Sequence, residues 1–219
     1  MRDDDLFPDP DARTVLEPDC RRCPALVDSR TRISWGTGPA DADVVVVGEA
    51  PGAGNPEADR WRGGNHTGMA YTTRHSGRRI RELFDRLGYE PYYTNAVKCF
   101  PADGEGSNRE PTAEERANCR THLDRELTTV DPAVVVSTGK HATATMLAFE
   151  GREGGGFVER VLTPERLSSL DLDLVPILHP SYQDVWIPRL GYDAEKYETE
   201  LGETLARLVD ASGTGTADR

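Results

Sequence analysis

Long hydrophobic runs are missing from this 219-residue sequence, and lysine is nearly so. No apolar stretch approaches the roughly 20 residues that a membrane-spanning helix needs. The N-terminus, Met1–Asp5, is charged rather than basic and then apolar, so no secretory signal is expected. These absences predict a soluble, cytoplasmic protein, and the length predicts a single domain.

Only three of the 26 basic residues are lysine, and 38 acidic residues give a formal net charge of −12. A surface rich in aspartate and poor in lysine is expected in concentrated salt, where a Debye length of about 3 Å screens self-repulsion. An ordinary acidic cytosolic protein would have the same composition, and both alternatives stay open. The net charge argues against nucleic acid as a partner, but the arginines between Arg60 and Arg81 form a local basic patch.

The order of apolar runs and helical patterns predicts the fold. Strands are expected at Val44–Val47, Tyr92–Val97, Ala133–Ser137 and Leu174–Leu178. Because these runs are continuous rather than alternating, they suit strands buried on both faces of a parallel sheet. Helical patterns lie between them, at Ile80–Leu87, from a capping box at Thr112, at Gly139–Phe149 and at Tyr192–Leu208. This alternation predicts an α/β fold, a three-layer α/β/α sandwich with a central, mostly parallel four-stranded sheet.

The domain organisation is simple. We expect an acidic N-terminal arm at residues 1–19, one domain at 20–210 and a flexible polar tail at 211–219.

Four cysteines form a pattern typical of a metal site. Cys20 and Cys23 make a Cys-x-x-Cys pair, Cys99 follows the second predicted strand, and Cys119 lies on the capped helix. In an intracellular chain such a set favours metal binding over disulfides. Four thiolates suit tetrahedral zinc or a [4Fe–4S] cluster equally, and a redox-active dithiol with two core cysteines is the alternative.

Polar side chains follow three of the predicted strands. Glu49 lies in the turn Gly48–Gly52, Asn95 near the end of the second strand, and His179 after the fourth. Ligands bind beyond the carboxyl ends of parallel strands, so we expect a carboxylate, an amide and an imidazole at one edge of the sheet. Each alone would be an ordinary turn, cap or loop residue.

Taken in order, the motifs resemble those of a known family. They are Cys20-x-x-Cys23-Pro24, Gly48-Glu49-Ala50-Pro51-Gly52, Thr94-Asn95-Ala96-Val97-Lys98-Cys99, Asn108-Arg109 with Pro111-Thr112, Cys119, and His179-Pro180-Ser181-Tyr182. This set, over about residues 20–182, resembles the iron–sulfur (family 4) uracil-DNA glycosylases. The resemblance implies hydrolysis of the N-glycosidic bond of uracil in DNA, during base excision repair. It also implies a [4Fe–4S] cluster on the four cysteines rather than zinc. We expect the protein to act on uracil-containing DNA as a monomer.

The resemblance also implies roles for single residues. As catalytic groups, Glu49 would orient the attacking water, Asn95 would read the uracil edge, and His179 would stabilise the leaving base. The substrate-binding set is Gly48, Glu49, Ala50, Tyr71, Asn95 and His179. Tyr71 would stack on the base, with its hydroxyl reaching a phosphate or water. DNA contacts are expected from Asn108, Arg109, Tyr182 and Arg189, with the Ser181–Arg189 loop as a wedge in the duplex.

The sequence departs from the family pattern in places that leave alternatives open. The segment Gly63–Gly77 looks more like the family 5 glycosylases, which favours a wider base range including hypoxanthine or xanthine. A protein that binds uracil-DNA without catalysis, and traps it covalently, is a further alternative. Superfamily members that trap carry a histidine in the loop that here runs from Ala102 to Pro111 and has none. The last alternative is a protein in which the cluster has a purely structural or redox role. The other histidines are predicted to be surface or helix residues, namely His66, His75, His122 and His141.

Overall fold

Valine-rich strands build the centre of a single sheet. The computed structural model describes residues 6–213, and seven strands lie within them. In chain order they are β1 (Arg13–Thr14), β2 (Gly36–Thr37), β3 (Val44–Gly48), β4 (Tyr92–Asn95), β5 (Val134–Thr138), β6 (Glu165–Leu167) and β7 (Leu172–Ile177). Their spatial order is β1-β2-β4-β3-β5-β7-β6, and the central strands β4, β3, β5 and β7 are parallel.

The four predicted strands are therefore confirmed, and so is the mostly parallel α/β fold. The predicted count of four strands was too low, because β1, β2 and β6 extend the sheet at its edges in antiparallel pairing. These edge strands have only two or three residues each. Such short segments carry no hydrophobic period that a sequence could display.

Eight α-helices occur in the described part of the chain. They are α1 (Pro24–Ser29), α2 (Gly64–Thr67), α3 (Ser76–Arg86), α4 (Ala113–Val130), α5 (Lys140–Leu147), α6 (Phe157–Arg160), α7 (Gln183–Arg189) and α8 (Ala194–Gly213). Short 3₁₀ helices lie at Pro10–Ala12, Ala148–Glu150 and Pro180–Tyr182. Over residues 6–213, none of the helices is both long and apolar enough to cross a membrane.

Local sequence explains where the longest internal helix begins. The Thr112 side chain accepts a hydrogen bond from the Glu115 amide, and the Glu115 carboxylate accepts one from the Thr112 amide. This capping box confirms the predicted start of α4, and such a cap contributes about 1 kcal/mol. The helix ends at Asp131, which adopts the left-handed conformation with φ 51°.

Alternate valines of β3 face opposite sides of the sheet. Val44 and Val46 pack in one core, whose helical side comes from α3, α7 and α8. Val45 and Val47 pack in the other, against α4 and α5. This alternation produces the three predicted layers, with the sheet covered on both faces.

Two predicted segments differ in detail from the structure. The Ser181–Arg189 segment is not a loop, because the 3₁₀ turn at Pro180–Tyr182 runs directly into α7. The last helix begins at Ala194 rather than Tyr192 and continues to Gly213, so it enters the segment predicted as a tail. Residues 214–219 of that tail, and Met1–Asp5 of the predicted arm, lie outside the described residues. The rest of the arm contributes β1.

Candidate active site

A single cleft lies at the carboxyl ends of the parallel strands. Its volume is about 910 Å³, and it takes lining residues from the ends of β3, β4, β5 and β7. The predicted residues that line it are Gly48, Glu49, Ala50, Tyr71, Asn95, Asn108, Arg109, His179 and Tyr182. The carboxylate, amide and imidazole therefore do lie in one cavity, as parallel strands with aligned ends require.

Gly48 and Asn95 are paired neighbours across β3 and β4. A Cβ atom added at Gly48 would lie 2.4 Å from Asn95 Oδ1 and 2.8 Å from the Tyr71 hydroxyl oxygen. Both distances are far shorter than van der Waals contact, so only glycine leaves room for the amide and the phenol. The backbone of Gly48 is not in the left-handed region, and space alone sets this requirement.

Gly48→Ala is expected to leave the fold intact and displace the Asn95 amide. A shift of this kind should lower the rate of base release about tenfold to a hundredfold, since ~1 Å misplacement costs up to the latter. Single-turnover kinetics on uracil-containing oligonucleotides would measure it. Gly202→Ala, on α8, is the matched control, because its added Cβ meets only the flexible Leu87 side chain. Equal rates for both variants would contradict the prediction.

Tyr71 is held in a strained conformation at the floor of the cleft. Its φ is 52°, and the buried Arg81 side chain donates to the backbone carbonyls of Tyr71 at 3.1 Å and Ala70 at 3.2 Å. The Tyr71 hydroxyl lies 2.7 Å from Thr138 Oγ1. The structure gives this hydroxyl the Thr138 side chain as a partner, and the expected contact with a phosphate or water stays a prediction. Burial raises the pKa of Tyr71, so the ring stays neutral.

The Asn95 side chain is buried, with 5% of its surface exposed. Within residues 6–213 its amide makes no hydrogen bond, while its backbone carbonyl accepts one from Lys98 Nζ at 2.7 Å. Among the described residues, the enclosed polar side-chain atoms without a partner are Ser34 Oγ and His122 Nδ1, so the Asn95 amide is open to the cleft rather than sealed in the core. Asn95 thus offers one acceptor and two donor hydrogens to whatever enters the cleft.

Glu49 follows β3 in a turn tied to the next strand. The Ala96 and Val97 amides donate to the carbonyls of Gly48 and Glu49, at 2.7 and 2.9 Å. Burial raises the pKa of the Glu49 carboxyl. The Glu110 carboxylate raises it further, whereas positive charge on His141, Arg116 and Lys140 lowers it.

His179 has a defined tautomer. Its Nδ1 accepts a hydrogen bond from the Ser181 amide at 3.2 Å, so in the neutral ring the proton lies on Nε2. Burial lowers the pKa of His179 below its usual 6.5, which keeps the ring neutral at pH 7. The side chain therefore presents a single N–H donor, Nε2, beyond the hydrogen-bonded turn.

The residues predicted to bind DNA differ in whether their side chains already form contacts within the protein. Asn108 Oδ1 accepts from the Ala53 amide at 2.9 Å and so fixes the turn beyond Gly52. Arg109 makes a bidentate ion pair with Glu115, at 2.7 and 2.6 Å, and also donates to Ala102 O. Both side chains are thus engaged internally at the edge of the cleft.

Tyr182 and Arg189 lie on the segment at the mouth of the cleft. Tyr182 is 61% exposed, and the neighbouring Val185 on α7 is 50% exposed. Arg189 is also exposed and has its guanidinium 5.1 Å from the centre of the Trp186 ring, which lines the cleft. Large apolar side chains exposed beside a cavity are typical of a binding surface.

Sequence reasoning missed three polar residues of the cleft. His141 Nε2 lies 2.8 Å from a Glu110 carboxylate oxygen, and Lys140 Nζ lies 3.4 Å from the same oxygen. Lys140 and His141 begin α5 directly after β5, so their position at a strand end was a usable signal. Glu110 lies in an irregular loop, and its spacing gave no such indication.

The four cysteines meet at a second place in the molecule. All four are free thiols, and Cys20 and Cys23 pack against a buried cluster that contains Cys99 and Cys119. Burial raises the pKa of Cys23 and Cys99, and that of Cys119 to about 12. Thiolates at such a site need compensating positive charge, which a metal centre supplies.

Each cysteine sulfur has a nitrogen neighbour. Arg30 Nη1 donates to Cys99 at 3.2 Å, the Lys98 amide to Cys119 at 3.3 Å, and Asn118 Nδ2 to Cys23 at 3.6 Å. His122 Nε2 lies 3.5 Å from Cys20. His122 is on a helix as predicted, but it is buried beside a cysteine rather than at the surface. Four cysteines with N–H donors around them fit an iron–sulfur cluster.

Comparison with known proteins identifies the family. The family model described as the uracil DNA glycosylase superfamily matches residues 35–198. The chain is similar to the type-4 uracil-DNA glycosylase of Thermotoga maritima, with 32% identity covering 74% of this chain and 77% of that protein. It is also similar to the type-5 uracil-DNA glycosylase of Pyrobaculum aerophilum, with 30% identity covering 89% of each chain. The chain belongs to the uracil DNA glycosylase superfamily.

Proposed function

We propose that this protein is a DNA repair enzyme that hydrolyses the N-glycosidic bond of uracil in DNA. The observation that carries the proposal is the Asn95 amide, which has no hydrogen-bond partner within residues 6–213 and opens into a cleft that it shares with Glu49 and the neutral His179. Type-4 and type-5 uracil-DNA glycosylases are its relatives over most of the chain.

Recognition of uracil rests on hydrogen-bond pattern and shape. The Asn95 amide can donate to uracil O4 and accept from N3–H, whereas cytosine presents the opposite pattern and would leave buried groups unpaired. The base must first leave the helical stack, at a cost of a few kcal/mol. Stacking on an aromatic ring such as Tyr71 returns about 1–3 kcal/mol.

Bond cleavage places negative charge on uracil O2 and positive charge on the sugar. The Nε2–H group of His179 supplies a hydrogen bond to the departing uracil anion, because this ring is neutral and donates at that atom. Backbone N–H groups of the Gly48–Gly52 turn add to this stabilisation, which is the logic of an oxyanion hole. The Glu49 carboxylate orients the attacking water and favours the oxocarbenium-like sugar.

Cys20, Cys23, Cys99 and Cys119 would hold a [4Fe–4S] cluster. When bound, the cluster would supply a covalent cross-link between the N-terminal segment, the segment after β4, and α4. The four sulfurs and their N–H neighbours support this assignment over a redox dithiol. The glycosidic bond is broken by protein side chains, and no step requires the cluster.

The DNA backbone and duplex would be held at the mouth of the cleft. Tyr182 and Val185 are the exposed apolar groups that could insert beside the everted nucleotide, with Arg189 near the phosphates. Asn108 and Arg109 would shape this edge of the cleft through the internal contacts described above. A phosphate contact of Arg109 would compete with its ion pair to Glu115.

The rate of excision is expected to fall on the acid side through the Glu49 pKa. Burial raises that pKa above the ordinary 4.5, so the carboxylate is lost at a higher pH than for an exposed glutamate. Burial lowers the pKa of His179, so this ring becomes protonated only at a lower pH than a free imidazole does. Single-turnover rates against pH should give an acid limb above 4.5 that is absent in Glu49→Gln. If the acid limb were unchanged in Glu49→Gln, Glu49 would not be the group whose protonation lowers the rate.

Excision assays test the proposal and its alternatives. Purified protein should release uracil from single- or double-stranded oligonucleotides at low or molar salt, and inactivity under all conditions would refute the proposal. Release of hypoxanthine or xanthine would establish the wider base range that the resemblance of the Gly63–Gly77 segment to the family 5 glycosylases favours. A persistent adduct on denaturing gels would instead indicate a binding protein that traps uracil-DNA.

A separate proposal is based on the net charge of −12: the protein works in the cytoplasm of a cell with a high internal salt concentration. If the acidic surface is an adaptation to salt, the melting temperature should rise from dilute buffer to molar KCl, because screening relieves carboxylate repulsion. Thermal denaturation across that range would measure it. A flat or falling melting temperature would remove this proposal and leave the enzymatic one untouched.

A further inference from the structure

A fully buried ion pair lies directly behind the cleft. Lys98 and Glu126 have side chains that are 1% and 0% exposed, and Lys98 Nζ donates to a Glu126 carboxylate oxygen. The ammonium also donates to Thr94 Oγ1 at 2.6 Å and to the Asn95 carbonyl at 2.7 Å. All three N–H donors of the lysine are therefore used.

Glu126 is equally well satisfied. Its carboxylate accepts from Thr94 Oγ1 at 2.7 Å, from the Tyr92 hydroxyl at 3.2 Å and from the Gly36 amide at 3.3 Å. The network thus connects β2 and α4 with β4, whose last residue is Asn95.

Stability alone does not explain such a pair. Removing two charges from water costs much of what their attraction returns, and well-packed apolar residues often serve as well. A geometric requirement that apolar packing cannot impose is one reason for a protein to keep a buried ion pair. Here the lysine fixes the backbone carbonyl of Asn95, whose amide faces the cleft.

The same lysine connects the cleft to the cysteine site. Its backbone amide donates to Cys119 Sγ at 3.3 Å, and its neighbour along the chain is Cys99. Cys119 and Glu126 are both buried residues of α4. One helix therefore carries a cysteine of the proposed cluster and the partner of the lysine that holds Asn95.

We propose that Lys98, anchored by Glu126, is a positioning residue that sets the Asn95 amide for recognition of the uracil edge. This inference rests on the proposed function. Lys98 touches no substrate and acts only through Asn95. Its loss should therefore weaken binding of free uracil and slow excision, even where fold and cysteine site persist.

The main test uses a charge-balanced double variant, Lys98→Met with Glu126→Gln. Lys98→Met alone would leave a buried carboxylate without its cation and could unfold the protein. The glutamine keeps acceptors for Tyr92 and Gly36. Lys196→Met is the matched control, since that lysine is exposed on α8. Thr94→Val is a milder variant that removes one partner of the ammonium and keeps both charges.

Four measurements are made on each purified protein: iron content, melting temperature, single-turnover excision of uracil, and inhibition by free uracil. The double variant should keep iron and melt cooperatively. Its excision should be slower by about tenfold or more, since misplacement of a positioning group by ~1 Å can cost up to about a hundredfold. Inhibition by free uracil should weaken in parallel, while binding to DNA with an abasic site should not change.

The outcomes separate this inference from the proposed function. If wild type does not excise uracil, the proposed function fails. If wild type excises and a folded double variant matches it in rate and uracil inhibition, the positioning role is refuted. Should the double variant not fold, Thr94→Val decides, because unchanged excision and uracil inhibition in that variant would refute the role.

Discussion

His179→Ala is expected to lower the single-turnover rate of uracil excision by about 10²–10³-fold, the loss seen when one oxyanion-hole donor is removed. The physical reason is the tautomer of this ring. Its Nδ1 is occupied by the Ser181 amide, so Nε2 carries the proton that the departing uracil anion needs. A low pKa keeps the ring a neutral donor across the neutral and alkaline range.

The loss should appear in the chemical step rather than in DNA binding. Affinity for abasic-site DNA should stay near that of wild type, since the donor acts on the base and not on the phosphates. His75→Ala is the control, because His75 is exposed, is not among the residues that line the cleft, and borders a second pocket with Arg79 and Glu82. If His179→Ala excised uracil within a few-fold of the wild-type rate, the assignment of His179 would be wrong.

Cys119→Ser is expected to destabilise the protein through loss of the proposed [4Fe–4S] cluster. Loss of a metal centre belongs to the mutations that cost upwards of about 4 kcal/mol, and for this chain length each kcal/mol lowers Tm by about 2–4 °C. Tm should therefore fall by about 8–16 °C or more. The iron content of the purified variant should fall with it.

The N-terminal segment should be released first. Arg21 and Arg22 are exposed beside the cysteine pair, and Arg22 donates to Thr121 Oγ1 on α4 at 2.5 Å. Trypsin should therefore cut there faster in Cys119→Ser than in wild type. Ala117→Ser, an exposed change on the same helix, is the control. Full iron content and an unchanged tryptic pattern in Cys119→Ser would contradict the cluster assignment for this residue.

The central fold, and the meeting of the main candidate residues in one cleft, could be predicted because each has a local signal. The valine run of β3 and the strands parallel to it are long, continuous and β-branched, and only a doubly covered sheet suits them. Once those strands are placed, Glu49, Asn95 and His179 follow from the rule that strand ends form the site. The cysteines were identified by their type and spacing.

Contacts between distant residues could not be predicted in this way. The Lys98–Glu126 pair joins residues 28 positions apart, and neither has a spacing that indicates the other. The Tyr71 hydroxyl reaches Thr138 across 67 positions, so its direction depends on packing. The edge strands likewise form because neighbouring strands offer hydrogen bonds, which is a property of the assembled sheet.

The valine run of β3 raises the question of what prevents the strand from slipping along its partners. Four identical residues in succession would fill the two cores almost equally well after a shift, although a one-residue shift also exchanges the faces. Gly48 is the residue that fixes the register of β3 against β4. Displaced by a single step, the chain would bring either Val47 or Glu49 opposite Asn95, where a Cβ atom at the position of Gly48 would lie only 2.4 Å from Asn95 Oδ1. A deletion or insertion of one valine should therefore damage this protein more than replacing all four by isoleucine.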